Sequence, residues 1–317
     1  MRFIGKRLLI TLLTLFLVSV LTFAAFRLIP GDSALLSLGL EAQEEQIEAL
    51  RAEMGLNKSF PEQYVSWLWK FLSGNLGNSS RFMGTPISGI IAERLPVTFA
   101  LAGISFLFII IIALPLSLVS TKKENSLLNH IITSLTALNI SIPGFFLGVL
   151  LIWIFGITLK LFVPGAHTSY NEDPAAFFGS LVFPALAIAM PNAALVVKFL
   201  RSSVFRELHS DYVRTARSKG AGRQRILRAH VLKNACLPSI TLLAIIAGEI
   251  LSGSIVIEQV FGIPGIGRLL IASITSRDYI MIETIIIYIA FVVILANTIA
   301  DIVLQIIDPR IRLTEKV

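Results

Sequence analysis

Long apolar runs that contain no charged residue constrain the fold of this chain more than any other feature of its sequence. Four such runs cover residues 8–26, 95–121, 125–159 and 174–197. A helix needs about 20 mostly apolar residues to cross the hydrocarbon core of a bilayer, which is roughly 30 Å thick. Hydrophobic residues make up 55% of the chain and charged residues 15%, a balance that excludes a soluble fold, a disordered chain and a coiled coil. The sequence therefore predicts an integral membrane protein.

Six membrane-spanning helices are predicted, in an all-α fold. Their cores lie at about residues 8–26, 98–119, 131–157, 174–197, 236–257 and 279–306. The first run could instead be a cleaved signal peptide. Its apolar core is longer than a usual signal core and Arg27 follows at once, so we expect a retained helix that Arg27 anchors at its external end.

Basic residues are distributed unevenly over the loops, and this asymmetry predicts the orientation in the membrane. The N-terminus, the 120–130 loop, the 198–235 segment and the C-terminus together hold 18 Lys and Arg residues, whereas the three opposite loops hold 8. Lys and Arg concentrate on the cytoplasmic side of membrane proteins. Both termini are therefore predicted to be cytoplasmic. The formal net charge of +7 then reflects membrane orientation, and no nucleic-acid partner is expected.

The segment from residue 30 to residue 96 is predicted to be external and is too long for a simple turn. Residues 41–53 have a helical composition, and Gly55 is placed to end that helix. Residues 61–72 form a second predicted helix, which Pro61 opens. Its aromatic and apolar residues recur at helical spacing and are Tyr64, Trp67, Leu68 and Phe71. We expect a helical cap with aromatic side chains at the membrane interface, and a direct role in substrate handling is the alternative.

The 198–235 segment, called the basic segment below, has a composition unlike the rest of the chain. It contains ten basic residues and two acidic ones, Glu207 and Asp211. Ser210 or Asp211 can cap a short helix, and Gly220 can end it in the left-handed conformation. Residues 223–234 should then lead as a helix through Pro238 into the fifth span. Defined helix ends predict a protein-docking surface; the alternative is a loop that only sets topology or touches anionic lipid.

Residues 211–238 resemble a known family. They are similar to the "EAA" loop of ABC-importer permease subunits, in the dipeptide, oligopeptide and nickel branch. Ala216 and Gly220 stand at the family's Ala and Gly positions, and Arg214 stands where the general motif has Glu, a departure usual in this branch. Further similar blocks follow in order along the chain: Leu28-Ile29-Pro30-Gly31-Asp32, Gly55-Leu56, Gln63-Tyr64, Leu76-Gly77, Arg94-Leu95-Pro96 with Thr98, Ser141-Ile142-Pro143 with Phe146 and Gly148, Glu258, Val260-Phe261, Pro264-Gly265-Ile266-Gly267, Arg277-Asp278, and Asp308-Pro309-Arg310-Ile311-Arg312. The long external segment resembles that of the "B" subunit of these systems.

The resemblance implies a type-I ABC-importer permease fold and a division of labour among subunits. The expected domains are an N-terminal helix with the external segment (1–93), the permease domain (94–306) and a tail (307–317). The expected ATPase-coupling residues are Asp211, Tyr212, Arg214, Thr215, Ala216 and Gly220. The expected partners are a second homologous permease subunit, cytoplasmic ABC ATPase subunits, an extracytoplasmic solute-binding protein, a peptide substrate and the lipid bilayer. ATP and Mg are expected on the partner subunits, so neither a cofactor nor enzymatic activity is expected in this chain.

Glu249 is the one charged residue near the middle of a predicted span. A charge inside the bilayer is costly, at roughly 2.5–3.5 kcal/mol on the insertion scale. Glu249 is therefore expected to face the bundle interior or the partner subunit. A path-lining or gating role and a buried structural hydrogen bond remain equally open.

Other motifs in the sequence predict no chemistry. Residues 262–269 have the spacing of a phosphate loop, but Arg268 and Leu269 stand where that loop needs Lys and Ser or Thr, so a turn is predicted. The four histidines share no metal-ligand spacing and no serine lies in a nucleophile elbow, so neither a metal ligand nor a catalytic residue is predicted. Gly144 and Gly148 form a GxxxG motif, which predicts close helix packing.

The predicted function is that of a permease subunit in the bacterial cell (inner) membrane, forming half of the path for di- and oligopeptides. The same kind of permease for nickel or a metal chelate is an alternative. A stand-alone channel or secondary carrier is an alternative of another class. A carrier is expected to show inverted repeats, and the sequence shows no convincing internal repeat.

Overall fold

The computed structural model describes residues 2–28, 43–53, 57–82, 84–121 and 126–307. Within these ranges the chain is almost entirely helical, which confirms the predicted all-α class. Three blocks of the family resemblance lie wholly or partly outside the described residues, namely 28–32, 55–56 and 308–312. The predicted C-terminal tail lies outside them as well, apart from its first residue.

The described residues form twelve helices. In chain order they are α1 (Arg2–Leu28), α2 (Glu44–Glu53), α3 (Phe60–Leu72), α4 (Ile87–Thr121), α5 (Leu127–Ser141), α6 (Gly144–Leu151, continued by a π-helical stretch, Ile152–Thr158), α7 (Pro174–Leu208), α8 (Asp211–Ser218), α9 (Arg223–Ile226, continued by a π-helical stretch, Leu227–Val231), α10 (Leu232–Phe261), α11 (Ile266–Thr275) and α12 (Tyr279–Ile307).

Among the described residues, five helical segments are long and apolar enough to cross a membrane. They are Gly5–Leu28, Ile87–Thr121, Pro174–Leu208, Gln224–Leu251 and Tyr279–Gln305. Two bent helix pairs are also long and apolar enough when each pair is taken together. Counting each pair as one span brings the number of possible spans among the described residues to seven. The first, second, fourth, fifth and sixth predicted spans each overlap one of the five segments, and the third overlaps a bent pair.

The prediction of a single continuous helix for the third span, 131–157, is wrong. The chain bends by 104° between Leu127–Ser141 and Gly144–Thr158. Ile142 is extended, with φ −89° and ψ 124°, and ends α5. Pro143 causes this break, because proline has no N–H to donate and disfavours a helical conformation in the residue before it.

The fourth and fifth spans extend further than predicted. Helix α7 continues beyond residue 197 to Leu208, so the basic segment begins inside a helix of 35 residues. Helix α10 continues past residue 257 to Phe261, which places Glu258 within its last turn. Gly262 then adopts φ +71°, which ends α10. The turn predicted over 262–269 is therefore confined to residues 262–265, since Ile266 already begins a helix.

The chain divides into two compact units. The first contains residues 1–96 and 265–294, and the second contains residues 97–264 and 295–317. In the first unit, the aromatic residues of α3 pack against α1. The ring of Phe23, which is fully buried, lies 5.5 Å from that of Tyr64 and 5.3 Å from that of Trp67. The periodic aromatics of this external helix therefore bury one face on α1, while Trp69 on another face is 75% exposed.

A buried carboxylate fixes the end of the external segment in the first unit. Asp278 is 2% exposed and accepts hydrogen bonds from Ser79 Oγ at 2.5 Å and from the Arg81 backbone N–H at 3.3 Å. It also accepts one from the backbone N–H of Met281 at 3.3 Å, inside the first turn of α12. Asp278 thus caps α12 and holds the 79–81 turn at the same time.

The second unit has its core between α7 and the helices that surround it. Buried alanines of α7, among them Ala187, let neighbouring backbones approach closely. The GxxxG motif lies at such contacts: a Cβ on Gly144 would lie 3.5 Å from the Ala187 carbonyl oxygen, and one on Gly148 would lie 3.0 Å from Phe261 Cε2. The predicted close packing is confirmed. Gly248 of α10 makes a similar approach to Asn297 of α12, where a Cβ would lie 2.5 Å from Oδ1.

Candidate functional site

The middle of the basic segment forms the short helix α8, which lies between α7 and α9 in the chain. Helix α8 begins at Asp211, and the backbone carbonyl of Ser210 accepts the N–H groups of Val213 at 3.1 Å and Arg214 at 3.3 Å. The predicted position of the helix start is confirmed. The Ser210 side chain does not cap it, because its hydroxyl donates instead to the carbonyl of Glu207 at 2.6 Å.

The end of α8 is set by Gly220. This residue adopts φ +79°, a left-handed conformation that glycine reaches at little cost. Its N–H donates to the carbonyl of Arg217 at 2.9 Å, and the N–H of Ala221 donates to that of Ala216 at 3.1 Å. These bonds satisfy carbonyls that the helix would otherwise leave open. The predicted left-handed end is therefore confirmed.

One face of α8 packs against a small hydrophobic core of its own. Val213 is fully buried, and Tyr212 and Ala216 pack beside it. The core is completed by residues from α7, from α9 with its π-helical continuation, and from α10. They are Leu200, Val204, Ile226, Val231 and Ala235. Val213 was missed as a site residue, although it is a lone branched apolar side chain in a polar helix. Its burial makes α8 a fixed element rather than a loop.

Tyr212 joins α8 to α7 by a polar contact as well. Its hydroxyl donates to Glu207 Oε2 at 2.7 Å. Burial of the ring raises the pKa of Tyr212 above its ordinary value of 10.0, and the hydrogen bond to the Glu207 carboxylate raises it further. The phenol is therefore protonated at neutral pH and remains a donor. Glu207 was not among the predicted site residues, because the sequence gives no sign of its pairing with Tyr212.

The opposite face of α8 is open and charged. Asp211 and Arg214 form an ion pair with an Oδ1–Nη1 distance of 3.6 Å, and their side chains are 97% and 78% exposed. Thr215 is also exposed, and its hydroxyl donates to the Asp211 carbonyl at 3.0 Å. An exposed ion pair contributes little to stability, on the order of 0–1 kcal/mol. These side chains are therefore available for contacts with another protein.

The predicted coupling residues thus divide into three groups. Asp211, Arg214 and Thr215 present side chains outward, Tyr212 and Ala216 face the core, and Gly220 ends the helix. The structure brings all of them together on one element, as the resemblance implies.

The two carboxylates of α10 lie in different surroundings. Glu249 is exposed on the surface of the isolated chain, and its placement toward the bundle interior or the partner subunit stays a prediction. Glu258 is fully buried and accepts hydrogen bonds from Thr98 Oγ1 at 2.8 Å and Ser254 Oγ at 3.4 Å. It was not predicted as a buried polar residue because the fifth span was expected to end at residue 257. Among the described residues, no three His, Cys, Asp or Glu side chains form a group that could hold a metal ion.

Long apolar helices, with a short charged helix fixed outside the candidate spans, define a multi-span membrane protein with a rigid surface element. Comparison with known families identifies the class of membrane protein. Residues 113–313 match the family described as binding-protein-dependent transport system inner membrane component, and residues 1–102 match the N-terminal region of such membrane components. The chain belongs to this family, and it is a multi-pass inner-membrane component with the type-I ABC permease fold.

Similar proteins of known name cover nearly the whole chain. A Brucella abortus (strain 2308) protein named as a peptide transport system permease is 34% identical over 93% of this chain and 94% of its own length. The oligopeptide transport system permease protein AppB of Bacillus subtilis (strain 168) is 33% identical over 98% of both chains. A Sinorhizobium fredii protein named as a peptide ABC transporter permease is 32% identical over 98% of this chain and 99% of its own. The resemblance to ABC-importer permeases seen in the sequence is confirmed.

Proposed function

We propose that this chain is a membrane-spanning permease subunit of an ATP-driven importer of di- and oligopeptides, and that α8 couples it to cytoplasmic ATPase subunits. The observation that carries the coupling role is the anchoring of α8: a buried Val213 on one face and an exposed Asp211–Arg214 pair on the other. A helix fixed in this way transmits force between a docked protein and the spans. Coupling between distant sites requires such an element with two shared states.

Peptide is the proposed substrate class because the similar proteins described above are named as peptide permeases. A second homologous permease subunit supplies the other half of the path, and an extracytoplasmic solute-binding protein delivers the peptide. ATP and Mg bind to the ATPase subunits. Both termini and α8 lie on the cytoplasmic side, since the segments placed there carry 18 of the 27 Lys and Arg residues.

Glu249 is proposed to face the partner permease subunit or the path between the subunits. Its side chain is exposed on the isolated chain, and exposing a charged side chain to hydrocarbon is costly. A partner surface or a water-filled path keeps Glu249 out of contact with lipid. If Glu249→Gln and Glu249→Ala both leave subunit assembly and peptide uptake unchanged, this role is wrong.

The coupling role is tested by straining the end of α8 without adding a clash. A Cβ on Gly220 would meet nothing within 4 Å, but its φ of +79° disfavours any other residue. Gly220→Val should therefore displace α8 and reduce both co-purification with the ATPase subunits and ATP-dependent peptide uptake. Gly222→Val is the matched control, because Gly222 also has open space and carries no positive φ. Uptake and ATPase binding that are unchanged in Gly220→Val would contradict the coupling role.

A further inference from the structure

The first unit contains a cavity at the predicted external end of α1 that has no part in the proposed coupling. It has a volume of about 640 Å³, and the described residues that line it belong to α1, to Lys58 and α3, to residues 75–80 and 84, and to the start of α12. Ligand pockets typically enclose about 300–1,000 Å³. The cavity is therefore large enough for a small molecule.

One basic and one acidic side chain line this cavity, and each has a buried polar atom. Arg27 and Glu283 both contribute to its wall, and they are close enough to interact electrostatically. Nevertheless Arg27 Nε and Glu283 Oε1 are both buried without a hydrogen-bond partner within the described part of the chain. A buried polar atom that lacks a partner is unfavourable, and more so when the group is charged. Their mutual attraction therefore leaves hydrogen-bonding capacity on both groups unused.

The remainder of the wall adds apolar surface and further positive charge. Trp67 and Phe71 line one side, with ring centroids 5.6 Å apart. Lys58 and Lys70 also line the cavity, and both residues are exposed. Among the described residues that form the wall, Glu283 is the one carboxylate and three are Lys or Arg. The cavity thus offers one site for a cation and several for an anion.

We propose that this cavity binds a small zwitterion that carries a primary ammonium and an anionic group. The ammonium pairs with Glu283, the anionic group pairs with Arg27 and the two lysines, and the apolar part packs against Trp67 and Phe71. A ligand of this kind supplies hydrogen-bond partners for both Glu283 and Arg27. Two sources carry this chemistry, a free short peptide and the headgroup of phosphatidylethanolamine. The proposal is independent of ATP-driven uptake and stands or fails separately from it.

Binding is tested on the purified full chain in phosphatidylcholine nanodiscs, a lipid with no primary ammonium. For the peptide source, trialanine is titrated by calorimetry and compared with N-acetyl-trialanine amide, whose two ends are blocked. For the lipid source, nanodiscs that contain equal amounts of phosphatidylethanolamine and phosphatidylcholine are used, and the lipid retained by the protein is counted by native mass spectrometry. We expect saturable binding of trialanine but not of the blocked peptide, or selective retention of phosphatidylethanolamine.

Variants of residues inside and outside the cavity decide whether the ligand binds in the cavity. Glu283→Gln and Arg27→Gln each remove one charge and should weaken binding about tenfold or more, since a hydrogen bond to a charged group contributes about 1.5–3 kcal/mol. Glu93→Gln and Lys160→Gln are matched controls at exposed residues outside the cavity, and they should bind as the wild type does. If Glu283→Gln or Arg27→Gln lowers the melting temperature so far that binding cannot be measured, Lys58→Gln combined with Lys70→Gln takes its place, because those side chains are exposed.

Three results overturn the proposal. One is the absence of both saturable trialanine binding and phosphatidylethanolamine retention in the wild type. Another is equal binding of the blocked and unblocked peptides together with equal retention of the two lipids. The third is binding that is unchanged in folded Glu283→Gln, Arg27→Gln or the double lysine variant.

Discussion

The hydroxyl of Tyr212 donates a hydrogen bond to Glu207 Oε2 at 2.7 Å, and this bond joins the first turn of α8 to the last turn of α7. Helix α7 is 35 residues long, which corresponds to about 50 Å at 1.5 Å per residue. The contact therefore connects a surface helix to an element long enough to cross the bilayer.

Removing this hydrogen bond should loosen α8. Tyr212→Phe keeps the ring and its packing but leaves Glu207 without this donor, so we expect a loss of about 0.5–1.5 kcal/mol in the free energy of unfolding. Thermal unfolding of the purified chain measures the effect. Tyr170→Phe serves as the control, because Tyr170 is 51% exposed and its ring contacts with Phe177 and Phe178 are retained by phenylalanine. Equal melting temperatures for Tyr212→Phe and the wild type would show that the bond contributes nothing.

The hydroxyl of Thr98 is expected to stabilise the buried Glu258 carboxylate. Thr98→Val removes a donor 2.8 Å from Glu258 Oε1, and an intramolecular hydrogen bond contributes about 0.5–1.5 kcal/mol. Thr98→Val should therefore lower the melting temperature clearly, whereas Thr98→Ser keeps the hydroxyl and should lower it less. A larger loss for serine than for valine would mean that the methyl group, and not the hydrogen bond, matters at this position.

Gly148 should tolerate no larger side chain. Its Cβ position is 3.0 Å from Phe261 Cε2 and 3.7 Å from Ala187 Cβ, so Gly148→Val pushes α6 away from two neighbouring helices. Overpacking of this kind typically costs about 1–3 kcal/mol. Gly179→Val is the matched helical control, since a Cβ on Gly179 meets nothing within 4 Å. Melting temperatures should fall for Gly148→Val and stay near the wild-type value for Gly179→Val.

Helix α3 should lose stability at low pH through Glu62. Glu62 Oε2 accepts the backbone N–H of Ser59 at 3.0 Å and the Ser59 hydroxyl at 2.9 Å, and the hydroxyl bond is the main reason that the pKa of Glu62 lies below 4.5. Because the folded pKa is lowered, the carboxylate stabilises the folded state fully above pH 4.5, and this contribution is lost as the pH falls through the lowered pKa.

The difference in melting temperature between the wild type and Glu62→Gln measures this contribution. It should be constant at neutral pH and shrink as the pH falls below 4.5. Glu172→Gln, at an exposed carboxylate elsewhere in the chain, controls for the loss of one charge. A difference that persists unchanged at low pH would assign the effect of Glu62 to something other than its charge.

Features that depend on neighbouring residues in the sequence could be predicted. The positions of the spans follow from charge-free apolar runs, and the ends of α8 follow from Ser210, Asp211 and Gly220. The break at Pro143 had a local signal too, but the charge-free run that continues past it suggested one helix. Proline is tolerated inside spans when neighbouring groups satisfy the freed carbonyls, and Pro184 lies within the continuous helix α7. The presence of a proline alone therefore does not predict that a helix breaks.

Features that depend on distant pairing could not be predicted. Ser79 and Asp278 are separated by 199 positions, and Thr98 and Glu258 by 160. No periodicity or spacing connects such residues, because the contact exists only after the helices have packed. The same is true of Val213, whose partners lie on α7, in the 226–231 stretch and on α10.

Contact between α8 and an ATPase subunit is the central claim, and site-directed photo-crosslinking tests it most directly. p-Benzoylphenylalanine is placed at position 214, where the Arg214 side chain is 78% exposed, and the chain is co-expressed with its permease and ATPase partners. The same group at position 160, an exposed residue predicted to be external, is the control. Illumination should link position 214, and not position 160, to the ATPase subunit. A complex that imports peptide but yields no ATPase crosslink from position 214 would contradict the account.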